Sequence, residues 1–340
     1  MNTPAVPVRD LRVNEKFSLK KFLGSWEMVL VYILLFLNVA LMILETDIYF
    51  SPDTIPFIIR SGMAISFMVL GMTFVLLLGC IDVSVSSIMI VCCMVMGLVS
   101  KQGAPDYLTV LCGILAGALC GAFNGVLVAK AKMPSVIVTI ATAMLFRGMV
   151  EIILNGEALD TFPKWFAALS WHDLGGAIPY SMLCFLGVAV IFGFVLAKTK
   201  FGRTVYIIGN AETTARFSSL RVDLIKIAVF TLMGVTSAFS AILFAGRLGG
   251  ITSGMGTGYE LQVIAVAVLG GVSTNGGKGR IFGPVIATFI MAFLNKTLDL
   301  LGVHANVQKI ITGIILLIVV MIPVLEKAFA DKKRKGRKTA

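Results

Sequence analysis

The sequence predicts an all-α integral membrane protein, a bundle of about ten transmembrane helices with both termini in the cytoplasm. Three observations carry this. Hydrophobic residues make up 58% of the 340-residue chain and charged residues 14%, with a mean hydropathy of +0.95, which leaves too little polar surface to coat a water-soluble globule. The apolar residues fall in runs of about 20, the length that crosses a roughly 30 Å hydrocarbon core as a helix, without the alternation of a membrane barrel. The net charge is +11, and the basic residues sit in tails and short connections beside apolar runs. That placement reads as membrane topology and not as a nucleic-acid surface.

Residues 1–25 carry Arg9, Arg12, Lys16, Lys20 and Lys21 against Asp10 and Glu15, a basic cytoplasmic tail. No small-residue cleavage pattern follows, so the first span, Trp26 to Leu44, reads as an uncleaved signal anchor. Glu45, Asp47 and Asp53 form an acidic outer connection, and a second span runs from about Pro56 to Cys80. IDVSVSS at 81–87 precedes a third span ending near Val99, and KQGAPD leads to a fourth, Tyr107 to Val128. Lys130 and Lys132 mark the cytoplasm before a fifth span, Met133 to Leu154. The long outer connection that follows, with Trp165 and Trp171, is expected to lie on the membrane interface. A sixth span, Ile178 to Ala197, enters the polar stretch 198–223. Beyond it come a seventh span, Leu224 to Ala245, a glycine-rich outer loop, and a short eighth, Leu261 to Val272, which reads as a broken or tilted helix. A basic turn, a ninth span, Ile281 to Leu298, and a tenth, Gln308 to Leu325, complete one membrane domain over 26–325, followed by a basic cytoplasmic tail at 326–340. The inner connections are net positive and the outer loops after spans one and five net negative, as the positive-inside rule requires.

Several groups within the apolar runs bear on function. Gly113, Gly117, Gly121 and Gly125 recur every four residues, a pattern that lets helix backbones approach closely. Beside that seam, Asn124 alone has a side chain suited to a solute. Asp82, with Ser84, Ser86 and Ser87, interrupts apolar sequence. A carboxylate there is costly unless paired or wet, which marks either a functional site or a helix-capping turn. Thr139, Thr142, Arg147 and Glu151 share a helical face, and Arg147 with Glu151 forms an i, i+4 pair that either lines a polar path or neutralises itself near the outer interface. The six cysteines lie in or beside apolar runs without CxxC spacing, and His172 and His304 lack ligand spacing, so neither disulfides nor a metal site is expected. VLGGVSTNGGKGR at 268–280 fails as a phosphate-binding loop, because Val272 stands where its first glycine belongs and Gly279 follows Lys278. No nucleophile with its base and no paired-carboxylate site is evident, so catalysis on this chain is not expected.

In 198–223, Lys198, Lys200, Arg203, Arg216 and Arg221 outweigh Glu212 and Asp223. Asn210 reads as the N-cap of a short helix with Glu212 in its first turn, and Ala211, Ala215, Ser218, Ser219 and Val222 give that helix a small-residue face for docking a protein. A solvated basic loop explains the charge but not this internal order.

The stretch KTKFGRTVYIIGNAETTARFSSLRV (198–222), with LGCIDVSVSSIM (78–89), NGVLVAKAKMPSVIVTIATAMLFRG (124–148) and GTGYELQVIAVAVLGGVSTNGGKGRIFGPVIAT (256–288), resembles the permease subunits of bacterial ATP-driven monosaccharide importers. That group includes permeases for ribose, arabinose, xylose, galactose, rhamnose and the sugar-like autoinducer. The resemblance runs in the same order from about residue 60 to 322. It implies a multi-pass protein of the bacterial inner membrane that pairs with a second permease subunit, identical or related. It further implies cytoplasmic ATPase subunits that bind ATP and magnesium, a periplasmic sugar-binding protein, and no cofactor on this chain. Phe201, Gly202, Arg203, Tyr206, Gly209, Asn210, Glu212, Ala215 and Arg216 match the family's inner loop and are expected to contact the ATPase. Asp82, Asn124, Thr139, Thr142 and Arg147 are the candidates for the solute path. Cys80 and Ser86 stand where the family usually has glycine, and Thr213 and Thr214 where it has alanines, which argues against assigning one sugar by motif. The alternative functions are an ion-coupled secondary transporter acting through Asp82 or Glu151, and a membrane scaffold with lipid-recruiting basic tails. The scaffold leaves the polar groups inside the apolar runs unexplained.

Overall fold

The structure, a computed structural model, describes residues 24–304, 306–315, 317, 318 and 321. Nearly all of the expected N-terminal tail, the C-terminal tail and the end of the tenth expected span lie outside the described residues. The chain opens with α1 (Trp26–Leu44), the one-turn α2 (Thr46–Tyr49) and α3 (Thr54–Leu77). Gly79, in the left-handed region at φ +74°, helps turn the chain out of α3 into an irregular segment at 78–84. Next come α4 (Val85–Lys101), α5 (Asp106–Ala129), α6 (Ser135–Leu154), α7 (Lys164–Trp171), a two-residue hairpin of β1 (Asp173–Leu174) and β2 (Ile178–Pro179), and α8 (Tyr180–Lys198). Helices α5 to α8 each begin on the residue after a proline, Pro105, Pro134, Pro163 and Pro179, whose ψ of 129° to 149° is extended. The proline ring also disfavours helix in the residue before it, so these starts are fixed locally.

The polar stretch forms two helices, α9 (Lys200–Asn210) and α10 (Glu212–Phe217), and the chain continues through α11 (Val222–Leu248), α12 (Tyr259–Leu269), α13 (Phe282–Leu300) and helical residues from 306. Among the described residues, α1, α3, α5, α6, α8 and α11 are long and apolar enough to cross a membrane. Of the other expected spans, α4 has 17 residues and α12 has 11, the latter only about 16 Å long at ~1.5 Å per residue. The 19-residue α13 carries Asn295, Lys296 and Asp299 in its last two turns.

Helices α3 and α11 form the centre. Buried residues make up 78% of the apolar window of α3 and 67% of that of α11, against 11% in α1 and 22% in α8. Along α5, Gly117 and Gly121 face the carbonyl oxygens of Gly234 and Phe230 on α11 so closely that a Cβ would overlap them, and a Cβ on Gly125 would lie 2.8 Å from the Ile227 Cα. Gly113 faces Met96 of α4 instead. The opposite face of α5, with Tyr107, Leu111, Leu115, Leu119 and Phe123, is exposed.

The connection after α6 is more than the interfacial surface segment the sequence suggested. Phe166 and Ser170 of α7 are buried, with the Phe166 carbonyl packed on Gly246 and the Ser170 hydroxyl donating to the Leu243 carbonyl at 3.2 Å. Arg60 pairs with Asp173, and Trp171 lies against Phe57. The segment therefore closes one end of the bundle over α3 and α11, while its tryptophans stay partly exposed.

Candidate functional site where two helix breaks meet

At the opposite end from α7, three pieces of backbone converge: the break at 78–84, the turn at 270–281 between α12 and α13, and α9. Helix α9 is N-capped by Thr199, whose hydroxyl accepts from the Gly202 N–H at 3.1 Å. It buries Gly202, Val205 and Ile208 on one face. Gly209 abuts the Leu77 carbonyl with no room for a Cβ, and that carbonyl accepts from the Gly277 N–H at 2.9 Å. Tyr206 donates to the Gly279 carbonyl at 2.8 Å. Asn210 donates to the carbonyls of Tyr206 at 2.8 Å and Gly277 at 3.3 Å. One short helix thus holds both breaks.

Asn210 is consequently not an N-cap. It is the last residue of α9, its amide is engaged by two carbonyls, and α10 starts after Ala211 without a side-chain cap. The apolar spacing of Phe201, Val205 and Ile208 was the signal for a helix running through to Asn210.

On α10 the charges are paired. Arg216 reaches Glu212 at 2.9 Å and Asp223 at 2.7 Å, and the nearly buried Lys226 of α11 reaches Glu212 at 2.7 Å. Partial burial works to raise the Glu212 carboxyl, but the hydrogen bonds and charges of Lys226 and Arg216 outweigh it and hold the group below its ordinary value. The hydrogen bond to Asp223, then that to Glu212, holds the Arg216 guanidinium above its own. Ala215 is fully buried, so the expected small-residue face is partly turned inward, whereas Phe217 is 91% exposed. Arg203, Asn210 and Arg216 are exposed, and Phe201, Tyr206, Gly209 and Glu212 are half-buried. The sequence reasoning passed over Phe217, an aromatic residue within a polar run. A recess of about 550 Å³ between the break, the start of α6 and α10 is lined by Cys80, Lys132, Ser135, Glu212, Arg216 and Lys226.

Deeper in the bundle the break at 78–84 is held by side chains. Asp82 accepts from the Ser84 N–H at 2.8 Å and from its hydroxyl at 2.6 Å, and Asn124 donates to the same hydroxyl at 2.8 Å. Thr139 accepts from the Val83 N–H at 3.1 Å and Ser135 from the Ile81 N–H at 3.2 Å. The structure therefore brings Asp82, Asn124 and Thr139 together in a fully buried cluster. Asp82 does not cap α4: the N-cap is Ser84, without a side-chain cap, and among the described residues Asp82 accepts only from the N–H and hydroxyl of Ser84 itself. Thr142 bonds within its own helix, to the Thr139 carbonyl at 3.3 Å.

Arg147 lies apart and does not pair with Glu151. Its guanidinium donates to the carbonyls of Ser253 at 2.7 Å and Met255 at 3.1 Å, pinning the connection between α11 and α12 to α6. Backbone acceptors satisfy it, and Glu151 is exposed. A further polar contact had no local sequence signal: Glu260, in the first turn of α12, accepts from Ser86 of α4 and from the Gly258 N–H. Among the described residues, no group of three His, Cys, Asp or Glu is placed to hold a metal ion.

Among the described residues, six helices long and apolar enough to cross a membrane, a buried polar break at 78–84 and an amphipathic helix tying that break to the 270–281 turn at one end of the bundle describe a polytopic helical membrane protein. The family model described as branched-chain amino acid transport system, permease component, matches residues 54–320, and the chain belongs to this family. Similar relatives are the autoinducer 2 import system permease protein LsrC of Photorhabdus laumondii subsp. laumondii, 32% identical over 295 residues, 86% of this chain and 87% of the relative, and the protein of the same name from Escherichia coli strain SMS-3-5, 34% identical over 273 residues, 80% of each chain. That of Yersinia pseudotuberculosis serotype O:1b is 34% identical over 269 residues, 79% of this chain and 76% of the relative. No solved structure matches the chain. These relatives are permease proteins of import systems, which leaves the ion-coupled secondary transporter without support.

Proposed function

We propose that this chain is the membrane permease of an ATP-driven bacterial importer that carries a monosaccharide or a sugar-like solute into the cytoplasm across the inner membrane. The observation that carries this reading is the tie between α9 and both helix breaks, through Gly209, Tyr206 and Asn210. On this reading ten spans cross the membrane, with α4, α12, α13 and the helix from 306 joining the six long helices, and both termini lie in the cytoplasm. The end bearing α9 and α10 then faces the cytoplasm and docks a separate ATPase subunit, which binds ATP and magnesium. Arg203, Arg216 and Phe217 supply the exposed contacts, and Gly202, Gly209 and Ala215 supply the close packing that makes the pair move as one body. ATP binding displaces α9, and the displacement reaches α3 and α4 through the break at 78–84, and α12 and α13 through the turn at 270–281. The cluster of Asp82, Asn124 and Thr139 restrains the first break, and Arg147 restrains the connection before α12. A second permease subunit, identical or related, completes the membrane unit, and a periplasmic binding protein delivers the solute to the end bearing α7. The similarity to autoinducer 2 import permeases supports a sugar-like cargo.

The test is ATPase activity of the reconstituted complex with a panel of sugar-loaded binding proteins. One loaded receptor is expected to stimulate hydrolysis and uptake together. Solute accumulation by vesicles holding this chain alone, driven by an imposed proton or sodium gradient, would overturn the proposal.

A further inference from the structure

A second polar feature lies near the α7 end, away from the junction of the two breaks. A cavity of about 490 Å³ opens between α3, the first turns of α12, the second half of α13 and the helix that begins at 306. Its volume falls within the ~300–1,000 Å³ of small-molecule sites. The fully buried cluster at Asp82 lines none of it.

The polar turns of α13 explain why it is there. Asn295, Lys296 and Asp299 would each be costly against lipid, and polar groups on a membrane helix turn toward the bundle interior or toward water and mark solute pathways. Here they turn into the cavity, where Tyr259 and Gln262 of α12 and Gln308 meet them. Gln308 donates to Asp299 at 2.6 Å and to the Val303 carbonyl at 2.9 Å. Lys296 lies over the Phe57 ring, 4.7 Å from its centroid. The side-chain amides of Gln262 and Asn295 have no partner among the described residues, and each offers both donors and an acceptor.

We infer that this cavity is a binding site for an uncharged polyol of monosaccharide size, held by Asn295 and Gln262 with Asp299 as a further acceptor. A sugar hydroxyl donates and accepts, so its recognition needs groups of both kinds side by side, and the Asn295 and Gln262 amides beside the Asp299 carboxylate and the cations Lys296, Lys309 and Arg247, the last already donating to the Ser61 carbonyl at 2.8 Å, provide them. Tyr259 and the aliphatic walls offer apolar surface to the carbon faces of the ring. The inference rests on the proposed importer function and locates the solute in a place that none of the path residues chosen from sequence occupies.

The purified full-length chain in detergent is titrated with D-ribose, D-xylose and L-rhamnose, with D-gluconate and inorganic phosphate as anionic probes, and binding is read by saturation-transfer difference NMR. At least one neutral sugar is expected to give a signal that falls fivefold or more in both Asn295→Leu and Gln262→Leu and is unchanged in the exposed control Lys101→Ala. Each variant is first shown to elute as a single species. A signal equal to wild type in both variants, a signal from the anions only, or none from any sugar overturns the inference. Transport by the assembled complex separates this from the importer reading itself. Uptake with unaltered KM in both variants removes the cavity and leaves the importer, whereas no sugar uptake by the wild-type complex removes the importer.

Discussion

The α5–α11 seam and the junction at α9 both bring backbone against backbone through glycine, yet they do opposite things. In the seam, Gly117, Gly121 and Gly125 recur at one helical spacing against a single partner helix, so the close contact is continuous over several turns. At the junction, Gly209 meets the carbonyl of Leu77, the last residue of α3 before the first break, and Gly277 in the 270–281 turn, and hydrogen bonds from Tyr206 and Asn210 complete the contact. A continuous seam makes a rigid body, whereas a few hydrogen bonds at chain breaks make a joint that can transmit motion. The contrast teaches that small residues at helical spacing mark what stays fixed, and that a glycine facing a break marks where force enters.

The comparison can be broken at its rigid side first. Gly121→Leu places a branched side chain on the Phe230 carbonyl and is expected to cost about 3 kcal/mol or more, read as loss of monodisperse protein from membranes and a lower melting temperature. Next is the docking surface. Phe217→Asp alters a residue with 91% of its surface free, so the permease should fold normally while copurifying ATPase falls about tenfold, a change of ~1.4 kcal/mol in binding. Tyr206→Phe removes only the bond to the Gly279 carbonyl, worth about 1 kcal/mol, and should reduce receptor-stimulated hydrolysis by several-fold with ATPase still bound.

The smallest effect is acidic. Glu212 titrates below its ordinary value of 4.5 in the folded protein because Lys226 and Arg216 outweigh its partial burial. Its contribution is therefore complete above that value and is lost as the pH falls through the lowered one. ATPase association should weaken slightly on acidification below pH 4.5, and Glu212→Gln should abolish that dependence. Because Glu212 is 41% exposed at its side chain, solvent screening keeps the effect small.

What the sequence revealed divides along the same line. The first expected span coincides with α1, and the fifth differs from α6 by two residues at its start, because Pro134 delays the helix. Such boundaries are local, set by charges and prolines beside apolar runs. The break around Asp82 was visible for the same reason, as was the spacing of the glycines on α5. The contacts that give the breaks their meaning were not. Arg147 bonds carbonyls more than a hundred residues away, Ser86 meets Glu260 across 174 positions, and α9 reaches the 270–281 turn across about 70. In α9 the capping logic of Asn210 competed with the apolar periodicity of Phe201, Val205 and Ile208, and burial of that face decided in favour of the periodicity.

The central claim is that α9 passes motion to the two breaks through the contact at Gly209. Gly209→Val tests it most directly, in proteoliposomes holding the permease, its ATPase and the sugar-loaded binding protein. The account predicts that the ATPase remains bound and that uptake per ATP hydrolysed falls at least tenfold. Wild-type uptake with the ATPase bound would contradict it.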